Sequence, residues 1–247
     1  MYVLFFVLTA KSSENNLSCR FTAFLIEGDM KSWEVLVDSL QKVRLNKADG
    51  DVLLYAEYAL TGYFFTQDDK KSAARMMDKF ENHLDRLMDK YPNTANYHAF
   101  KAALYGYKIG LSPWMAPFYS FPHQREVDKA IALRTNEALP LIEQGNSYYF
   151  RPSFVGGNKQ KAMLSYAAAF AINSKNNPEC NWVFFNNGAW LGQVYTKLGY
   201  PEKARNVYKQ ILNVNPNFQY VKDELLPQLE RGEFIDMGSR FEQMLID

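Results

Sequence analysis

Residues 188–216 read GAWLGQVYTKLGYPEKARNVYKQILNVNP. Their spacing predicts two closely packed helices and the turn between them. Gly192, which follows Leu191, and Ala204 are small, so the helices can approach. Tyr195 and Tyr208 are expected to fill the space between them. Gly199 suits the left-handed residue that ends a helix. Pro201 falls in the first turn of the next helix, where its missing N–H costs nothing. Pro216 closes the unit.

An earlier copy is partial. Gly157, Ala162, Tyr166 and Ala169 repeat the offsets of Gly199, Ala204, Tyr208 and Ile211, 42 residues upstream. Residues 173–181 (NSKNNPECN) read as the loop that lengthens this copy. Ala130 marks a weaker copy, and Ala73, Met77 and Phe80 echo the same pattern. The rest of the chain also reads as helices. Asp29 is placed to cap a helix bearing Trp33, Leu36, Val37, Leu40 and Val43. Residues 46–51 read as a turn, followed by a helix over about 52–65. Asp68 and Asp69 start a third helix, whose apolar positions Ala73, Met77, Phe80, Leu84, Leu87 and Tyr91 form a packing seam. Pro92 stops it, and a fourth helix covers about 94–109. Residues 111–122 (LSPWMAPFYSFP) carry three prolines and five large apolar residues. They read as a break in the helices and an ordered lid tucked against them. Pro140 must kink or end a later helix.

The hairpin at 188–216 resembles a tetratricopeptide repeat (TPR), with Gly188 where Trp is usual and Ile211 where Ala is usual. That resemblance implies an all-α, right-handed superhelical solenoid of helical hairpins, with the Pro- and aromatic-rich segment as an insertion. The best repeat would span 185–218 and a degenerate one about 143–176, within one domain at 24–247. Trp33, the Pro-rich segment and residues 151–159 (RPSFVGGNK) also look like a family of exported bacterial TPR-like proteins of unassigned role. More loosely, the build is similar to the periplasmic TPR component of some tripartite transporters. Export, to the periplasm or beyond the cell, is what this likeness implies; a cytoplasmic location is the other option.

Residues 1–10 (MYVLFFVLTA) are apolar and residues 11–18 polar, so 1–18 fit a secretory leader without its usual positive start. A buried first strand or helix is the competing reading. Cys19, after Leu17 and Ser18, hints at lipid acylation, although Asn16 is polar where such a site is apolar. Cys19 could also pair with Cys180 after export.

Over 247 residues the charge balance is +1, against the basic excess of a nucleic-acid binder. No apolar run reaches the ~18 residues of a membrane span. His83, His98 and His123 have no partner at metal-ligand spacing. Gly156, Gly157, Asn158 and Lys159 lack phosphate-loop spacing and read as a turn with Asn158 capping. Asp78, Glu81, Asp85 and Asp89 read as a solvated stripe. No catalytic constellation, cofactor or metal site emerges. By analogy with TPR proteins, the inner face would carry Asn186, Ala189, Gln193, Thr196 and Lys197. Ala189 and Gln193 replace the Lys and Asn of the dicarboxylate clamp. A second surface is aromatic: Trp114, Phe118, Tyr119 and Phe121, with Tyr148, Tyr149 and Phe150. The reading is a noncatalytic scaffold for a protein or peptide partner. The alternative is a periplasmic binder of a small ligand beneath the aromatic lid, serving a transporter.

Overall fold

Side-chain caps start many of the helices. Asp29 Oδ1 accepts from the Ser32 amide and Asp69 Oδ1 from the Ser72 amide, both at 3.0 Å. Asn46, Asn158 and Asn181 do the same for the amides of Asp49, Lys161 and Val183. Each satisfies a backbone donor that the first helical turn leaves open. The computed structural model describes residues 17–134 and 136–233, which are helical throughout with no strand. The helices are α1 (17–27), α2 (Met30–Leu40), α3 (Lys47–Thr66), α4 (Lys70–Lys90), α5 (Ala95–Leu111) and α6 (Ala116–Leu133). After them come α7 (Leu139–Phe150), α8 (Lys159–Asn173), α9 (Trp182–Lys197), α10 (Pro201–Val214) and α11 (Leu226–Glu230). Of the leader reading for residues 1–18, residues 1–16 lie outside the described residues, and 17 and 18 begin α1.

The helices pack as successive hairpins: α3 with α4, α5 with α6, α7 with α8, and α9 with α10. Tyr208 of α10 presses so closely on Gly192 of α9 that a Cβ there would lie inside the tyrosine ring's contact surface. Gly199 takes φ +79° and Pro201 opens α10, as the sequence predicts. Leu191, Ala204 and Tyr208 are buried, while Tyr195 is half-buried. Gly188 and Ile211 complement each other. A Cβ on Gly188 would come within 2.6 Å of Ile211 Cδ1, so the large residue fills what the small one vacates.

The upstream hairpin has the same contact, made by a residue that the sequence reading overlooks. A Cβ on Gly145 of α7 would come within 2.6 Å of Tyr166 Cε1 on α8. Gly145 precedes Gly192 by 47 residues, whereas Tyr166 precedes Tyr208 by 42. The difference arises because residues 151–158 join α7 to α8, against only 198–200 between α9 and α10. Part of the extra length therefore lies inside the hairpin, besides residues 173–181. In that longer connection Gly156 takes the left-handed conformation, φ +99°, rather than Gly157. Gly157 instead packs against the Arg151 carbonyl, where no Cβ fits.

Other expectations need correction. Residues 47–51 belong to α3, because Asn46 caps there instead of leaving a turn. Val43 lies beyond α2 and is exposed. The three prolines of 111–122 do not break the helices for long. Pro113 opens a short 3-10 turn, Pro117 stands in the first turn of α6, and Pro122 lies inside α6. Pro140 occupies the start of α7, so it opens a helix rather than kinking one.

The first two helices meet the later hairpins. Trp33 of α2 is fully buried, donates from Nε1 to the Ala56 carbonyl at 3.1 Å, and sits edge-on to Trp182 of α9 at 5.4 Å. Phe21 of α1 packs on Trp33 at 4.8 Å, while Ile26 of α1 joins the core formed by α7–α10. A disulfide links Cys19 of α1 to Cys180 just before α9. That sulfur is thus committed and is not available as a lipid thioether, which removes the acylation reading.

Candidate interaction surfaces

The residues expected to line an inner groove share α9, but several are already occupied. The Thr196 hydroxyl donates to the Gly192 carbonyl at 2.9 Å. Gln193 Nε2 donates to the Ala189 carbonyl at 3.3 Å, while its Oε1 is buried with no partner among the described residues. Lys197 Nζ stands 5.6 Å from the Tyr149 ring centre, and Lys159 Nζ 3.8 Å from it. Asn186 is half-buried. Tyr149 and Phe150 in turn pack edge-on against Trp190. Tyr149 and Phe150 therefore belong to the packing between α7 and α9, Tyr148 has Lys161 of α8 5.5 Å from its ring centre, and of the polar set only Gln193 offers an unused buried acceptor.

The aromatic segment behaves differently from the expected lid. Trp114, Phe118 and Phe121 are 72%, 65% and 76% exposed. Phe118 and Phe121, three residues apart, lie on one side of α6, and Trp114 stands in the 3-10 turn that leads into it. The opposite side carries Tyr119, His123, Glu126, Val127 and Ala130, and this is the side that packs inward. Tyr119 stacks on Tyr105 of α5 at 5.6 Å, and Lys108 Nζ stands 5.7 Å from its ring centre. Early entry into α6 causes the correction: once residues 116–133 are helical, burying Tyr119 turns Phe118 and Phe121 outward. Nearby, the turn after α7 exposes Phe154 and Val155. Arg151 ties this turn to α6 by donating to Gln124 Oε1 and Ser147 Oγ.

Beneath these surfaces lie groups with displaced ionisation. Burial pushes the Glu143 carboxyl up to about 7, partly offset by hydrogen bonds from Tyr58 (2.7 Å) and Asn146 (3.1 Å). The Tyr166 hydroxyl donates to Asn146 Oδ1 at 2.7 Å, completing a buried chain across α3, α7 and α8. Burial, with the Arg151 charge beside it, pulls His123 down to about 4. His98 is clamped between Glu126 Oε2 (2.6 Å) and the Pro92 carbonyl (2.8 Å). Of the four acidic residues read as a stripe, Asp78, Asp85 and Asp89 are exposed, whereas Glu81 is half-buried and pairs with Lys101 and Lys108.

Among the described residues no group of three or more His, Cys, Asp or Glu could hold a metal ion. Nor is any helix among them long and apolar enough to cross a membrane. No family model, curated protein or solved structure matched the chain.

Proposed function

We propose that the chain is a noncatalytic, TPR-like scaffold that binds a protein partner outside the cytoplasm. The observation that carries this reading is the exposed set of Trp114, Phe118 and Phe121, on α6 and the 3-10 turn before it, anchored by Tyr119. Contiguous exposed aromatics favour contact with a second apolar surface. The repeated Gly–Tyr contacts of α7–α8 and α9–α10 support a right-handed superhelix of hairpins. The Cys19–Cys180 disulfide supports export, because disulfides persist in oxidising compartments. The small-ligand alternative is less favoured, since the aromatic rings face outward, and none of them lines the cavity between α2, α3 and α4.

The test is mild crosslinking in the natural host, followed by mass spectrometry, for wild type and for W114S/F118S/F121S. The scaffold reading expects one reproducible protein partner that the triple variant loses without a fall in melting temperature. A partner retained by that variant but lost in Q193A/K197A would move the interface to α9.

A further inference from the structure

A cleft of about 470 Å³ lies between α2, α3, α4 and the segment joining α2 to α3, in the size range of small-molecule sites. Its most deeply buried polar group is Glu57, whose side chain is only 1% exposed. Glu57 accepts hydrogen bonds from Gln41 Nε2 at 2.6 Å and His83 Nδ1 at 2.8 Å. With Nδ1 engaged, His83 keeps Nε2 for another partner. Nε2 adjoins Gly50, whose missing side chain leaves room beside it; even a Cβ there would stand 3.8 Å away.

The charged part of the lining is mostly cationic. Lys79, His83, Arg86 and Lys90 follow one another along one face of α4, and Lys47 faces them from α3. Lys79 is paired with Asp38 at 2.9 Å and Lys47 with Asp51 at 2.7 Å, and neither aspartate lines the cleft. Arg86 and Lys90 are exposed and form no ion pair among the described residues. Among the described residues Glu57 is the one carboxylate in the lining, and His83 and Gln41 already face it. Two unpaired cations therefore set the field at the opening. Leu53 and Leu87 add apolar wall.

We propose that this cleft binds a small organic carboxylate. Its head group pairs with Arg86 and Lys90 beside the His83 ring, and its hydrocarbon part lies against Leu53 and Leu87. An arginine fork matches a carboxylate in two parallel hydrogen bonds, and the charge on both partners strengthens them. The site is separate from the aromatic row on α6, so its occupancy does not depend on the partner-binding reading.

The probe is hexanoate, titrated into the full chain while the His83 ring resonances are followed by NMR. Hexanol and inorganic phosphate serve as the neutral and non-apolar comparisons. Saturable shifts of His83 with hexanoate are expected, with phosphate weaker and hexanol silent. Binding should weaken at least about tenfold in R86A/K90A, in line with the loss of charge-assisted hydrogen bonds. It should persist in the charge-matched variant K70A/K71A, whose lysines are exposed and do not line the cleft. All four side chains are at the surface, so both variants should fold. The proposal is overturned by a non-saturating response, by equal binding of hexanol or phosphate, or by R86A/K90A binding as wild type does.

Discussion

Glu143 is the residue whose chemistry is furthest from that of a free side chain. Its carboxyl is raised to about 7 by burial, so between about 4.5 and 7 the folded chain holds a proton that the unfolded chain has released. Stability from this group is therefore full at low pH and is lost as pH rises through 7. Glu143→Gln should remove that dependence. Its urea midpoint, measured relative to wild type, should rise between pH 5 and pH 8; a constant difference would contradict the buried-acid reading. His123 works in the opposite direction: with its folded value pulled down to about 4, its contribution is present above 6.5 and fades as pH falls through 4. Gly192 makes a steric prediction. Gly192→Ala forces Tyr208 aside and should cost about 1–3 kcal/mol, as overpacking does, and Gly145→Ala should behave alike through Tyr166. Denaturant unfolding of both variants checks this. Gly192 was readable from sequence because a short turn keeps it in register with Tyr208. Gly145 was hidden by a connection five residues longer, which shifts one helix of the hairpin against the other. The His83–Glu57 pair was hidden as well, since 26 residues and a change of helix separate its members.

At the scale of the element, α2 and α4 were the most legible. Asp29 and Asp69 cap them as expected, and Trp33, Phe80 and Leu84 are fully buried. Amphipathic spacing and a side-chain cap are local properties, so one sequence suffices to see them. By contrast, α6 was misread, because prolines near a helix start cost little and only Pro122 lies well inside. Pro122 has no N–H to offer the Phe118 carbonyl. Pro122→Ala should therefore raise the thermal midpoint, with a gain in stability of up to about 3 kcal/mol, the cost of an interior proline. An unchanged or lower midpoint would mean that the helix has adapted its packing to the proline. The outward placing of Phe118 and Phe121 follows from the same helix, with Trp114 in the turn just before it. The sequence shows large apolar residues there, but only the choice of Tyr119 as the inward anchor decides which of them water meets.

Across the whole molecule, α1 holds the two halves together. It packs with Trp33 on one side and with the α7–α10 core on the other, and its cysteine is bonded to Cys180. The bond spans 161 residues, so removing it frees a long loop in the unfolded chain. Cys19→Ser with Cys180→Ser should lower stability by about 2–5 kcal/mol. Reduction of the wild type should do the same, and a reduced protein that melts with the oxidised one would contradict it. The all-helical class was plain from the sequence. The pairing of α1 with the segment before α9 was not, because two cysteines alone do not say where they meet. The interaction reading is tested most directly by a photo-crosslinking amino acid placed at Phe118 in living cells, with exposed Val35 on α2 as the comparison. A discrete adduct of one protein at 118, absent at 35, is the predicted result. The same diffuse pattern at both positions, or none at either, would contradict a partner on the aromatic face of α6.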